Sequence, residues 1–271
     1  MNVHQETMRQ PVTIHGTVAD YIAESGFALA VLAGIAAAFS GIGSRLGWWH
    51  FMTGFTILRT AAIAGLVAAI VSLLGGILAR QEHRRAVFFY AAAGILTGLI
   101  IAGIPWSWLR TAQLMPMIHD ISTDTVNPPR FKAIMPLRKN AENSLNYGPG
   151  VAMQQKAAYP DVRPLQLPLS SAKTFDRALV LAKSMGWKIV DSNAREGRIE
   201  AMATTFWFGF TDDVIVRVSA APQGSRVDVR SVSRVGLSDV GTNAKRVRAY
   251  LDKLARSSII DTNDADFSVN Y

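Results

Sequence analysis

The sequence predicts an α+β protein: three N-terminal transmembrane helices followed by an antiparallel sheet of about four strands with two packed helices. Composition is the first observation behind this. Of 271 residues, 49% are hydrophobic and 18% charged, against roughly 25% charged in an ordinary soluble domain. The deficit sits at the front. Residues 1–108 hold six Lys or Arg and four Asp or Glu, whereas residues 109–271 hold twenty-two and sixteen. The front is composed for lipid and the back for water. The second observation is three long uncharged runs in the front. The third is the strict alternation of valines in the back, which is the period of a strand.

Residues 1–25 read as an N-terminal tail. MNVHQETMRQPVTIHG is polar for too long to be a cleaved leader, so the first apolar run is expected to be retained. Residues 26–109 read as a three-helix transmembrane anchor. Its uncharged runs are Gly26–Gly43, Thr60–Ala79 and Ala86–Leu109, and about twenty apolar residues cross a hydrocarbon core of ~30 Å. Gly94 and Gly98 form a GxxxG, and Gly75–Gly76 is a further small patch; both let helix backbones approach. No ionisable residue lies inside the runs, which favours a packed anchor over a transport path.

Arg80, Arg84 and Arg85 crowd the link between the second and third runs, against Arg45 and Arg59 around the other link. Positive loops stay inside. The N-terminus is therefore expected in the cytoplasm, and everything after Leu109 outside. Trp48, Trp49, Trp106 and Trp108 then all fall at the outer interface.

Residues 110–168 read as an extended strap, because seven of the eleven prolines lie between Pro128 and Pro168. Asp120, Ser122, Thr123 and Asp124 cluster oxygen atoms that suit either a calcium ion or Asx and Ser/Thr turns; the spacing lacks the regular EF-hand pattern, and turn chemistry is favoured. No metal or cofactor is expected.

Residues 169–258 read as the α+β domain. Ser170–Ser171 cap a helix carrying Phe175, Ala178, Leu179, Ala182 and Met185 at helical spacing, closed by Gly186. WKIVD is a strand; Ile199, Ala201 and Ala203 alternate in the next; Val214, Val216 and Val218 in the third; Val227 and Val229 in the fourth. Pairing Val216 with Val229 puts Val218 opposite Val227 and Arg217 opposite Asp228, with valines on one face and charges on the other. Arg230 then projects from the charged face, diagonal to Asp213, and exposed pairs there are expected to contribute about 0–1 kcal/mol. Val240, Ala244, Val247, Leu251 and Leu254 form one face of a last helix running to about Arg256, with Ser238 and Asp239 at its start. Gly241 and Asn243 are poor helix formers there, which leaves close packing or an anion at the helix start as their explanation. Residues 259–271 read as a C-terminal tail.

Three segments resemble the domain of unknown function 1499 family: TDT-x-x-PP-x-F (Thr123–Phe131), W-x-G-F-x-DD (Trp207–Asp213) and RS-x-SRVG-x-SD-x-G-x-N (Arg230–Asn243). The resemblance spans about residues 115–258, and the front half is similar to membrane-anchored members from Gram-negative bacteria. Shorter members carry a Pro-Asn-Cys-Val-Ser-Ser stretch where this chain has TDT and PP-F, so a role tied to that cysteine does not carry over. The family implies no activity. The similarity to anchored Gram-negative members, taken with the loop charges, leads to the expectation of a bacterial inner membrane with a periplasmic domain.

The chain has no cysteine, and His119 is its only histidine after the apolar runs. That weighs against thiol, His-metal and Ser–His chemistry. The formal charge of +8 is scattered rather than clustered, so nucleic acid is not an expected partner. Membrane lipid is, with an envelope protein or polymer beside it. The ligand-binding candidates are Asp120, Thr123, Asp124, Asp213, Arg230, Arg234, Ser238, Asp239 and Asn243. The membrane-interface candidates are Trp106, Trp108, Phe206, Trp207 and Phe208; the competing reading of Phe206, Phe208 and Phe210 is a core-facing strand. Three functions remain open: an envelope binding module, an envelope hydrolase using carboxylates such as Asp213 and Asp239, and a subunit of a transporter.

Overall fold

The computed structural model describes residues 17–79 and 85–267, with side chains to Ser258, and the chain divides into two compact units, Met1–Ser107 and Trp108–Tyr271. Most of the N-terminal tail, the link with Arg80 and Arg84, and the chain end after Phe267 lie outside the described residues.

Among the described residues, three helices are long and apolar enough to cross a membrane: α1 (Val18–Arg45), α2 (Phe51–Leu78) and α3 (Arg85–Leu114). Helix α1 starts eight residues before the apolar run, because the Asp20 carboxylate accepts the Thr17 N–H at 2.6 Å and satisfies a helix-start donor. In the first unit small residues set the spacing between helices. A Cβ on Gly94 would overlap Ser72 Oγ, one on Gly98 would overlap the Gly65 carbonyl, and one on Gly75 would lie 2.6 Å from Ala23 N. Gly103, in contrast, has open space around it. Gly→Ala in a helix ordinarily stabilises by about 1 kcal/mol. Gly103→Ala is therefore expected to leave the melting temperature in detergent unchanged or raised. Gly98→Ala is expected to lower it, because its new methyl meets backbone.

The second unit is built on one antiparallel sheet. Its strands are β1 (Asp120–Ser122), β2 (Leu165–Leu167), β3 (Lys188–Asn193), β4 (Arg198–Thr204), β5 (Thr211–Ala221) and β6 (Gly224–Ser233). The order is β1-β6-β5-β4-β3, and β2 shares the free edge of β6 with β1. The hairpin register is as the alternation requires: Val216 faces Val229, Val218 faces Val227, and Arg217 faces Asp228. Two of the six strands come from the Pro-rich strap, which also holds a 3₁₀ turn (Met135–Arg138) and α4 (Pro149–Ala158). Each strap strand is three residues long, too short to announce itself by alternation.

The valine face carries α5 (Ser171–Ser184) and α6 (Thr242–Phe267). Val214, Val216, Val218, Val227, Val229, Ala178, Val247 and Leu254 are all buried there. Trp187 stacks on Tyr250 at 4.9 Å, and the Tyr250 hydroxyl donates to the Ala178 carbonyl at 2.7 Å. Val240 stands outside the α6 face that its spacing suggested. Its φ is +51°, it is exposed, and the helix begins at Thr242.

The other face was expected to be charged and exposed. It is charged and buried. Phe131 and Ile134 of the strap pack on Ile215 and Val232, and Asp213, Asp228, Arg230 and Glu200 lie beneath or beside them with little or no exposed surface. Alternation reports that two faces differ; it does not report whether another segment covers the polar one.

Candidate functional site

The strap is fastened to the sheet by arginine–carboxylate pairs, and the signature segments supply most of them. Arg230 donates to both Asp120 oxygens (3.0 and 2.6 Å), to the Pro129 carbonyl (3.1 Å) and to the Leu145 carbonyl (2.6 Å). Its guanidinium lies over the Phe131 ring (5.4 Å) and over the Tyr147 ring (5.5 Å). Side chains of both partners are 3% exposed. The predicted diagonal between Arg230 and Asp213 is not formed. Arg230 sits opposite Ile215 and reaches outward across the edge to β1, while Asp213 is claimed by Arg138 and Arg234.

Asp213 has no exposed side-chain surface. Arg234 meets it at 2.8–3.2 Å and also donates to the Leu137 carbonyl, and Arg138 pairs with it while donating to the Asn143 carbonyl at 2.7 Å. Asn143 then donates to the carbonyls of Ser233 (3.1 Å) and Gly236 (2.9 Å). Glu200 does the same work farther along. It accepts the N–H groups of Lys132 (2.8 Å) and Ile134 (2.9 Å) and pairs with Arg198. Buried charges persist only when paired and hydrogen-bonded, and here each one is.

The TDT segment closes the other end of this face. The Thr123 N–H donates to the Val229 carbonyl, and its hydroxyl accepts the Val229 N–H, both at 2.9 Å. Asp124 accepts the N–H groups of Val126 (3.1 Å) and Asn127 (2.8 Å) and receives Arg217 and Arg226. The oxygen cluster is thus an Asx turn locked by two arginines. Among the described residues no group of three or more metal-ligating side chains comes together.

Burial works to raise the Asp124 carboxyl, but the N–H groups of Asn127 and Val126 and the Arg217 guanidinium outweigh it, and the carboxyl lies below its ordinary value. A depressed carboxylate stabilises the fold above its unfolded value of about 3.9 and loses that contribution as pH falls through the folded value. Asp124→Asn is therefore expected to be less stable than the parent at neutral pH, with the gap closing in acid. Denaturation of the full chain in detergent, followed by near-ultraviolet dichroism across pH, checks this; a gap that widens in acid contradicts it.

The run from Ser238 to Asn243 is a cap of unusual form. Asp239 accepts the N–H groups of Gly241 (2.9 Å) and Asn243 (2.6 Å), and Ser238 accepts the Val240 N–H at 3.2 Å. Gly241 has φ +79°, directly after Val240 in the same left-handed region. This double turn accompanies the Asp239 carboxylate over the α6 start, and at Gly241 it carries no steric cost. Burial holds the Asp239 carboxyl above the ordinary range against the opposing N–H groups of Asn243 and Gly241. Asn243 is fully buried, donates to the His119 carbonyl (3.0 Å) and Ser233 Oγ (2.9 Å), and accepts from Ser231 Oγ (2.7 Å) and Arg246. Ser238 Oγ donates to the Pro116 carbonyl at 2.9 Å.

All nine ligand-binding candidates are taken up in the domain's own polar network: Asp120, Arg230, Asp213 and Arg234 beneath the strap, Thr123 and Asp124 at the other end of that face, and Ser238, Asp239 and Asn243 at the start of α6. Arg138, Asn143 and Glu200 complete it and escaped sequence reasoning. Glu200 had a usable signal, since it alternates with Ile199 and Ala201 and must face the strap side. Arg138 and Asn143 had none, because the strap has no period.

The aromatic candidates separate. Thr205–Phe210 is a loop, closed by Thr205 N–H to the Phe210 carbonyl (2.8 Å) and Phe210 N–H to Thr205 Oγ1 (2.9 Å). Phe208 turns in and stacks on Phe210 at 5.4 Å, whereas Phe206 is 91% exposed. The Trp207 ring meets the Trp108 ring at 5.5 Å. Trp106 belongs to the first unit and is exposed there.

No curated protein and no solved structure matches the chain. A family model does: the one described as protein of unknown function (DUF1499) matches residues 120–254, from the first residue of β1 to the buried Leu254 of α6. All three signature segments, and every ion pair that fastens the strap to the sheet, fall inside those limits. The domain spanning residues 120–254 belongs to the DUF1499 family.

Proposed function

We propose that this chain is an anchored protein of the bacterial inner membrane, with its N-terminus in the cytoplasm and its domain in the periplasm, and that the domain binds a ligand or envelope partner without turning over a substrate. One observation carries the reading. Asp120 and the signature carboxylates Asp213 and Asp239 are enclosed by arginines or backbone N–H groups, which suits them to holding the fold and not to proton transfer. A general acid or base must come within hydrogen-bond reach of substrate. Asp213 has no exposed side-chain surface from which to do so. The domain then works through the surface that the fixed strap and loops present.

Native mass spectrometry of the full chain released from its own membrane tests the reading. A retained lipid, glycan fragment or peptide at fixed stoichiometry is the expected result. Turnover of an envelope polymer by the purified chain would overturn it. The orientation has its own check, since the chain lacks cysteine. A cysteine in place of exposed Ser192 should react with a membrane-impermeant maleimide in spheroplasts, and reaction only after lysis would reverse the topology.

A further inference from the structure

We infer that the end of the domain where the chain arrives from α3 is a lipid-binding surface, seated in the interface of the bilayer with Phe206 and Leu237 as its insertion points. This deepens the binding reading above by naming a lipid surface as the partner.

Sheet geometry brings the loops together. Thr204 pairs with Thr211 and Asp212 with Ser233, so the β4–β5 loop and the segment after β6 leave the same end of the sheet. The Arg234 N–H to Thr211 carbonyl bond (3.1 Å) extends that pairing past the strands. Both loops are fastened to the arriving chain. Trp207 meets Trp108; Ser238 Oγ holds the Pro116 carbonyl; the Asp239 N–H donates to the Ile118 carbonyl at 3.2 Å. The fixed points are Trp108, Pro116 and Ile118, at and just past the end of the last long apolar run, Leu109. Leu114 closes α3 five residues later, about 8 Å along a helix. That is the depth over which interfacial apolar groups are buried, ~5–10 Å.

The chemistry at this end fits that position. Phe206 is 91% exposed, Leu114 82%, Leu237 73% and Met117 60%. The β4–β5 loop TFWFGF has no charge, and neither does VGL from Val235 to Leu237. The arginine beside them, Arg234, points inward to Asp213. Large apolar side chains exposed together mark a binding surface, and aromatic side chains favour the headgroup level. These uncharged loops are tied to chain within ten residues of the end of the last apolar run, and apolar and aromatic side chains so close in sequence to such a run suit the lipid interface, so lipid is the occupant inferred.

The test uses the full chain in nanodiscs of phosphatidylethanolamine and phosphatidylglycerol. Nitroxides are placed at single cysteines replacing Phe206, Leu237 and, as an aqueous reference, Val180, which is exposed on α5. Collision with oxygen and with a water-soluble nickel chelate is then read. Oxygen should dominate at 206 and 237, and nickel at 180. Nickel-dominated labels at both 206 and 237 would overturn the inference, and so would shielding from both reagents, which reports protein cover. If one variant does not fold, the other site decides. Polymer turnover removes the binding reading whatever the labels report, whereas aqueous labels on a chain that retains a ligand remove only the lipid surface.

Discussion

Replacing Arg230 with methionine is expected to destabilise the domain by about 3–5 kcal/mol, the usual cost of removing one partner from a buried ion pair. Three acceptors lose their donor together: the Asp120 carboxylate and the carbonyls of Pro129 and Leu145. Asp120 is 2% exposed, so it has little water to replace the guanidinium. Asp120→Leu in the same chain should recover much of the loss, because a buried pair replaced as a whole by apolar groups often costs little. Recovery will be partial, since the two carbonyls stay without a donor. Arg230→Lys should fall between, for an ammonium cannot reproduce the fork that meets both Asp120 oxygens. Melting of the full chain in detergent, read with a domain-specific signal, gives all three values. A single Arg230→Met variant within about 1 kcal/mol of the parent would mean the pair does not hold the strap.

That expectation marks where the sequence is informative and where it stops. The Val216–Val229 register is legible because a one-residue slip would move every valine to the wrong face. The apolar helices are legible from uncharged length, except for the start of α1, which depends on one carboxylate cap. The α5 boundaries follow from Ser170 and Gly186, whose cap roles are local. The covering of the charged face is not legible. It rests on contacts between residues far apart in sequence, such as Lys132 with Glu200 and Arg138 with Asp213, made by a segment with neither helical nor strand period. Arg230 and Asp120 illustrate the gap. Both sit in polar clusters of the sequence, yet their pairing depends on β1, a strand of only three residues, joining the free edge of β6.

The same logic explains the density of the Arg230–Asn243 segment. A strand that ends beneath a strap, a turn that holds the arriving chain and a helix that starts with a double left-handed turn each need specific side chains. Arg230 and Arg234 serve the strap, Ser238 holds Pro116, and Asp239, Gly241 and Asn243 start α6. The motif is thus compact because three junctions coincide within fourteen residues.

Asp213→Leu is expected to match the Arg230 variant in size, about 3–5 kcal/mol, and to differ from it in how it is rescued. The substitution leaves two guanidiniums close together without their shared counter-charge. They are not equivalent. The Arg138 side chain is 6% exposed and its other anchor is the Asn143 carbonyl, whereas the Arg234 side chain is 20% exposed and lies at the end of β6. Arg234 can turn toward water; Arg138 cannot without lifting the strap. Adding Arg138→Met to Asp213→Leu should therefore restore more stability than adding Arg234→Met. Hydrogen exchange across residues 131–145 should rise in the single variant and fall back in the first double variant only. The Arg248–Asp161 pair supplies the scale for comparison. Its side chains are 38% and 57% exposed, and an exposed pair of that kind contributes at most about 1 kcal/mol, so Asp161→Ala should leave the same exchange window unchanged. Equal rescue by both methionines would show that Asp213 balances charge in general and does not fasten the strap through Arg138.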